Sequence, residues 1–225
     1  MTTLYILTAI IMIALPIIFN GIFFALARAF EYPDILRKPT DEILQRFTQG
    51  GGRLVALWYA FAFTALMAVP LALLIAEVFA GNPLAGASAI IGCLSGLVQA
   101  MGLFRWSLLV PTLAASYHAP DASPAQQEAI QVVFGAFHQY VGVVVGEHLG
   151  YLFTAGWTVM VCVMMAASPI FGRWIALLGV FSALGILTGL AEPFGWKPAG
   201  AVNAISYLVW SVWLAVAGVM LLAAA

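Results

Sequence analysis

The sequence is poor in charged residues. Only 8% of its 225 residues are Asp, Glu, Lys or Arg, against roughly 25% in an ordinary soluble domain. A formal net charge of −1 provides no basic face, so nucleic acid is not an expected partner. Apolar runs of about 20 residues recur instead, and a bilayer core roughly 30 Å thick needs helices of that length. The composition therefore predicts an all-α, polytopic membrane protein.

Residues that often carry chemistry are also scarce. Cys93 and Cys162 lie inside apolar segments without metal-type spacing, which favours buried thiols. A haem held by two histidines needs imidazoles on facing elements, whereas His138 and His148 share one segment. Both lysines fall in connections, which excludes the intramembrane lysine that retinal requires. No cofactor is assigned, and the lack of a phosphate loop or a Ser/His/Asp set disfavours an enzyme.

Six apolar segments are long enough to cross a membrane. We predict that they pack as one transmembrane domain, with spans at residues 4–29, 54–79, 84–116, 141–167, 171–190 and 201–222. Ser123, Pro124 and Gln126 form a capping box that starts a helix running on through the fourth span. Such a helix would be about 66 Å long, roughly twice the hydrocarbon core. We therefore expect its amphipathic first part, residues 124–140, to extend into the cytoplasm or to lie along the membrane surface.

The first connection is the most charged part of the chain. Five of the eight basic residues flank it or lie within it: Arg28, Arg37, Lys38, Arg46 and Arg53. Pro39-Thr40 followed by two acidic residues, with glycines at 50–52, predicts a short interfacial helix over residues 40–49. We expect Ile43, Leu44 and Phe47 to face the membrane. The positive-inside rule makes this connection cytoplasmic and both termini extracytoplasmic, in a multi-pass protein of a cell membrane such as the bacterial inner membrane.

Residues 138–158, in the fourth span, combine small and polar side chains. Gly142, Gly146 and Gly150 recur every four residues and line one stripe of a helix, where a neighbouring backbone can approach closely. At 100° per residue, a group of polar residues lies beside this stripe: Glu147, Tyr151, Thr154 and Thr158. Such an arrangement is either an internal packing core or a site.

Arg105, near the end of the third span, should lie at the depth of Glu147. Burying either charge alone costs about 2.5–3.5 kcal/mol at a helix centre, and pairing reduces that cost. The polar cluster would comprise Arg105, Glu147, His148, His138, Tyr151 and Gln99. It is an ion pair that fixes helix register, a ligand-binding or proton-handling centre, or two charges that reach the surface separately. A metal site would require the helix to break between Gly142 and Gly146.

A resemblance supports the architecture. The sequence GEHLGYLFTAGWT in the fourth span, the preceding FGAFHQYVG, and Arg105-Trp106 to Val110-Pro111 at the end of the third span resemble the uncharacterised bacterial membrane family called domain of unknown function 4386. The resemblance covers nearly the whole chain. It implies a bundle of six helices and no particular activity.

Two functions of different classes remain open. In the first, the protein binds or moves a small molecule, lipid or ion at the polar cluster between spans three and four. In the second, it is a non-enzymatic structural or accessory subunit of a membrane complex, and the Arg–Glu pair is purely structural. Its partners would be the lipid bilayer and either another membrane protein or a second copy of the chain. The sequence shows no internal inverted repeat, which disfavours a transporter.

Overall fold

A computed structural model describes all 225 residues, which form helices and no strands. The nine α-helices are α1 (Thr2–Phe30), α2 (Thr40–Leu66), α3 (Ala68–Val78), α4 (Ala85–Leu108), α5 (Val110–Tyr117), α6 (Pro124–Phe137), α7 (Gly150–Ala166), α8 (Arg173–Leu187) and α9 (Ala199–Ala223). A π-helix, His138–Leu149, joins α6 to α7. Short 3₁₀ helices cover Asp34–Arg37 and Thr188–Phe194.

Six helical units are long and apolar enough to cross a membrane, which confirms a multi-pass helical protein. They are Thr2–Phe30, Thr40–Val78, Ala85–Tyr117, Pro124–Ala166, Arg173–Phe194 and Ala199–Ala223. Two of the units bend just before a proline. The bend between α2 and α3 precedes Pro70, and the bend between α4 and α5 precedes Pro111. Proline causes these bends because it lacks the N–H that continues the hydrogen-bond ladder.

The six units form a ring that follows chain order. α1 packs on α2, α2 and α3 pack on α4, and α4 packs on the π-helix and α7. α7 then packs on α8, α8 on α9, and α9 closes the ring against α1. Short connections make successive units antiparallel neighbours, as in other bundles. We call the end of the ring that carries residues 31–39 the charged end.

An aromatic core holds the ring together at the charged end. Trp58 of α2 and Trp106 of α4 are fully buried and stacked, with ring centroids 4.8 Å apart and an interplanar angle of 14°. Phe30 meets the edge of Trp106 at 5.4 Å. Stacked and edge-on aromatic pairs add about 0.5–1.5 kcal/mol each to the burial of their area. These rings therefore fix α1, α2 and α4 relative to one another.

The amphipathic helix at residues 40–49 exists, but its predicted contact with the membrane is wrong. Ile43, Leu44 and Phe47 are at most 3% exposed and belong to the aromatic core. Gly51 has φ 54° and ψ −155° and interrupts the helical path of α2, in a backbone region that glycine tolerates best. The interruption lets the preceding turns fold onto the protein, where Phe47 stacks on Trp106.

The predicted start of the fourth unit is confirmed. The Ser123 side chain accepts a hydrogen bond from the Gln126 backbone N–H at 3.3 Å, and the helical path then continues to Ala166. Ile130 and Phe134 of α6 are buried in the aromatic core. The first part of this long unit therefore packs on the rest of the protein through one face.

Candidate functional site: a cavity inside the ring

The glycine stripe of the fourth unit packs tightly against α4, as the sequence predicted. Gly142 faces Arg105, Gly146 faces Gly102 and Gly150 faces Gln99. A Cβ atom added to Gly146 would lie 2.9 Å from the Gly102 Cα atom, so the two backbones meet directly. A Cβ on Gly142 would lie 2.5 Å from the Arg105 Nη2 atom. The small residues therefore bring the π-helix close enough to cover Arg105.

The π-helix changes which side chains share a face. Its backbone bonds run from residue i to i+5, and such helices are rare and enriched at functional sites. His138 and Glu147 are nine residues apart, which is two and a half turns of an α-helix and places them on opposite sides. Because a π-helix, with i→i+5 bonds, has more residues per turn, the same separation comes closer to a whole number of turns. Both side chains consequently reach the same cavity.

A cavity of about 430 Å³ lies inside the ring near the charged end. Its walls come from α1, α2, α4, the π-helix, α7 and α9, together with residues of the first connection and Glu192. The cavity contains five of the six predicted site residues: Arg105, Glu147, His138, Tyr151 and Gln99. His148 is not among its lining residues, although the sequence placed it in the cluster. The volume is typical of small-molecule sites, which span about 300–1,000 Å³.

Arg105 and Glu147 share the cavity without forming the ion pair that the sequence suggested. Every pair of opposite charges within 4.0 Å involves Arg37, Lys38 or Arg46 of the charged end. Arg105 instead donates from Nη1 to the Gly102 carbonyl, and its guanidinium lies 5.1 Å from the centre of the Trp106 ring. Its own helix thus holds Arg105, and the Glu147 carboxylate has neither an ion-pair nor a hydrogen-bond partner in the chain.

Three phenols add hydrogen-bonding capacity to the walls. Tyr32, Tyr151 and Tyr207 all line the cavity, and the Tyr207 hydroxyl is buried without a hydrogen-bond partner. Sequence reasoning identified only Tyr151. The spacing of Asn203 and Tyr207, four residues apart in an apolar span, was the available signal for α9, because residues at that spacing share a helix face.

His138 is a further unpartnered group. Its Nδ1 atom is buried without a hydrogen-bond partner. The imidazole stacks on Phe134, with centroids 5.5 Å apart, and meets the Trp106 ring edge-on at 6.1 Å. The ring is therefore fixed by aromatic contacts at the wall of the cavity.

The first connection forms a roof over the cavity at the charged end. Tyr32, Leu36 and Arg37 line the cavity from this side. Burial raises the pKa of the Tyr32 phenol, the Glu147 carboxylate raises this pKa further, and Arg105 lowers it. Tyr32 therefore lies in the field of both unpaired charges.

Ion pairs attach the roof to the rest of the bundle. Arg37 Nη2 donates to Glu192 Oε1 at 2.8 Å, which links the roof to the connection after α8, and this hydrogen bond raises the pKa of Arg37. Lys38 donates to Glu31 and to Glu42 at 2.8 and 2.7 Å. The bond from Lys38 lowers the pKa of Glu31. The two shifts favour the charged forms of Arg37 and Glu31, so both ion pairs hold at neutral pH.

The cavity also opens at the side of the ring, between α1 and α9. Asn20 Nδ2 donates to Ser211 Oγ at 3.0 Å and bridges these two helices. One turn closer to the charged end, Phe24 and Leu208 both line the cavity and are 56% and 46% exposed. Ala204, one turn further on, is also exposed and lines the cavity. An opening with apolar walls therefore leads from the cavity to the outer surface of the bundle.

A smaller chamber of about 60 Å³ lies deeper in the ring and shares a wall with the cavity at Gln99 and Tyr207. Gln99 Nε2 donates to Ser95 Oγ at 3.0 Å and to Thr154 Oγ1 at 3.1 Å. Thr158, which the α-helical projection placed beside Glu147, accepts a hydrogen bond from Trp210 Nε1 at 2.8 Å. Thr154 and Thr158 therefore join helices and do not line the cavity of Glu147.

Fold and cavity together define a class: a multi-pass helical membrane protein whose six crossing units surround a cavity lined by both charged and apolar side chains. The chain belongs to the family described as Domain of unknown function (DUF4386), whose model matches residues 2–218. The match confirms the resemblance seen in the sequence. It spans every residue that lines the cavity and supplies no activity. No curated protein and no solved structure matches the chain.

Proposed function

We propose that the protein binds a small molecule with a charged group in the cavity, at Arg105 and Glu147. The observation that carries the proposal is that both charges line a 430 Å³ cavity inside a membrane bundle while neither has an ion-pair partner. Ionisable groups at such depth are costly, and they typically mark pathways or binding sites. Gln99, His138 and Tyr151 complete the polar lining of the site.

A purely structural role has less support, because two further pairs of glycines at four-residue spacing, Gly92/Gly96 and Gly185/Gly189, are covered inside the chain. A Cβ atom on Gly92 would lie 2.5 Å from Ala72 Cβ, and one on Gly96 would lie 3.0 Å from the Ala65 carbonyl oxygen. Gly189 is covered equally closely by Tyr151 and Asn203. These stripes therefore leave no small-residue surface that a partner helix would need for close packing.

Native mass spectrometry of the protein purified in mild detergent tests the proposal. We expect the wild-type protein to carry a bound small molecule as a mass adduct. The occupied fraction should fall at least tenfold in Glu147→Gln and in Arg105→Gln, because each loses a charge that contacts the ligand. Glu77→Gln and Arg28→Gln are matched controls, since both side chains belong to exposed residues outside the cavity. A wild-type protein without adduct, or an equal adduct in all five proteins, would refute the proposal.

We further propose that the charged end faces the cytoplasm, with both termini on the opposite side. The support is the concentration of basic residues at the first connection, which follows the positive-inside rule. Reporter fusions after Gly50 and Ala225 should accordingly report opposite sides of the membrane. The proposal fails if both fusions report the same side.

A further inference from the structure

We infer that the ligand is a phospholipid whose headgroup carries a phosphate and a primary ammonium, and that it reaches the cavity through the side opening between α1 and α9. This inference rests on the proposed function, because it names the class of molecule that the same site would bind. Two independent observations lead to it: the pair of opposite unpaired charges, and the apolar opening to the flank of the bundle.

The unpaired charges of Arg105 and Glu147 favour a ligand that carries one positive and one negative charge. A molecule with one charge would leave either Arg105 or Glu147 without a partner at membrane depth, which is costly. A zwitterion satisfies both side chains and adds no net charge. Arginine suits the phosphate, because its guanidinium presents five donors in a planar fork. Within the chain, one of these donors is used, in the hydrogen bond to the Gly102 carbonyl.

Glu147 distinguishes between kinds of cationic group. An ionised carboxylate only accepts hydrogen bonds, and that of Glu147 receives none from the chain. A primary ammonium offers three N–H donors, whereas a quaternary ammonium offers none. The carboxylate is therefore better satisfied by an ethanolamine-type group than by a choline-type group. The nearby phenols of Tyr32 and Tyr151 can supply further donors to the phosphate.

The side opening indicates that the ligand comes from the bilayer. Its walls include Phe24, Ala204 and Leu208, all apolar and all exposed at the outer surface of a membrane-spanning bundle. At the charged end, by contrast, the exposed lining residues include the charged pair Arg37 and Glu192, which do not suit contact with lipid chains. The cavity can hold a headgroup but not two full acyl chains as well. The two acyl chains of the bound lipid would pass between α1 and α9 into the surrounding bilayer.

A competition experiment in nanodiscs tests the headgroup. The discs contain equal amounts of phosphatidylethanolamine, phosphatidylcholine and phosphatidylglycerol with identical acyl chains, and native mass spectrometry identifies the lipid that stays on the ejected protein. We expect phosphatidylethanolamine to be enriched at least tenfold over the other two lipids. Glu147→Gln should retain little lipid and show no preference among the three, whereas the control Glu77→Gln should behave as wild type. Enrichment of phosphatidylcholine or phosphatidylglycerol, or no enrichment in the wild type, would overturn the inference.

Two further arms test the route and the source of the ligand. Ala204→Trp places a large ring in the side opening at an exposed position, so it should lower lipid retention at least fivefold at unchanged Tm. Wild-type retention in this variant would exclude the side opening as the route.

Free phosphoethanolamine should raise the Tm in detergent much less than short-chain phosphatidylethanolamine at the same concentration. Equal shifts would identify a soluble ligand and overturn the assignment to lipid.

The outcomes separate this inference from the proposed function. An adduct that depends on Arg105 and Glu147 but is not an amine-bearing phospholipid overturns the inference and leaves the binding function intact. A wild-type protein that carries no adduct in detergent or in nanodiscs refutes both.

Discussion

Replacing Gly146 with leucine should lower the Tm of the protein in detergent by about 6–12 °C. The Gly146 Cβ position lies 2.9 Å from the Gly102 Cα atom, so the obstacle is backbone and cannot rotate away. Overpacking of this kind costs about 3 kcal/mol, and each kcal/mol shifts Tm by about 2–4 °C in a chain of this size. A fluorescence melting curve measures the effect. Gly146→Ala should show a smaller loss in the same direction.

The chain offers a matched control within the same continuous helical unit. A Cβ atom on Gly135 would meet nothing within 4 Å, and leucine is a better helix former than glycine. Gly135→Leu should therefore melt at or slightly above the wild-type temperature. Leu152→Ile, at an exposed position, should also be neutral. Equal melting of the Gly146→Leu and Gly135→Leu variants would show that the fourth unit does not meet α4 through its glycines.

Glu147→Gln should raise the Tm of the ligand-free protein by about 2–4 °C while abolishing ligand binding. An unpaired carboxylate at membrane depth destabilises the fold, and removing it should recover about 1 kcal/mol, which corresponds to that shift. Functional sites often carry such a cost in stability. The measurement is a melting curve after detergent exchange has removed the adduct, together with the adduct assay on the unexchanged protein.

The sign of this shift separates a binding site from a structural ion pair. Breaking a buried pair from one side costs about 3–5 kcal/mol, so a contacting pair would give a large loss in Glu147→Gln and recovery in the double variant. Arg105→Gln should itself be destabilising, because it loses the bond to the Gly102 carbonyl and the contact with Trp106. Because the two charges do not touch, the coupling in the double variant should be much smaller than the roughly 3–5 kcal/mol expected of a contacting pair. A double variant much more stable than the sum of the two single changes would contradict the structure.

The six crossing units and the glycine stripe could be predicted from the sequence because both depend on local properties. Hydrophobic length determines a membrane helix, and a four-residue spacing of glycines predicts close packing whichever helix lies opposite. The location of Ile43 and its neighbours could not be predicted in this way. An amphipathic helix can cover its apolar face with lipid or with protein, and the choice here depends on the break at Gly51 and on Trp106, far away in the chain.

The candidate site was predicted in part for a similar reason. Arg105, Glu147 and Gln99 stand out because polar residues are rare in apolar spans. Tyr32 and Tyr207 belong to distant parts of the chain, and only the folded structure shows that they line the same cavity. The shared position of His138 and Glu147 at the cavity depends on the path of the π-helix, whereas a wheel drawn at 100° per residue places these two residues on opposite sides.

The ring contains one seam that differs from the other five. Each of those five joins consecutive crossing units through a connection of the chain, whereas α1 and α9 meet without one. Far from the charged end this seam is tight, since a Cβ atom on Gly218 would lie 2.8 Å from Met12 Cβ. Toward the charged end only the Asn20–Ser211 bond precedes the apolar opening. A ligand that enters through this opening would pass between the first and the last crossing unit, so none of the five connecting loops would lie on its path.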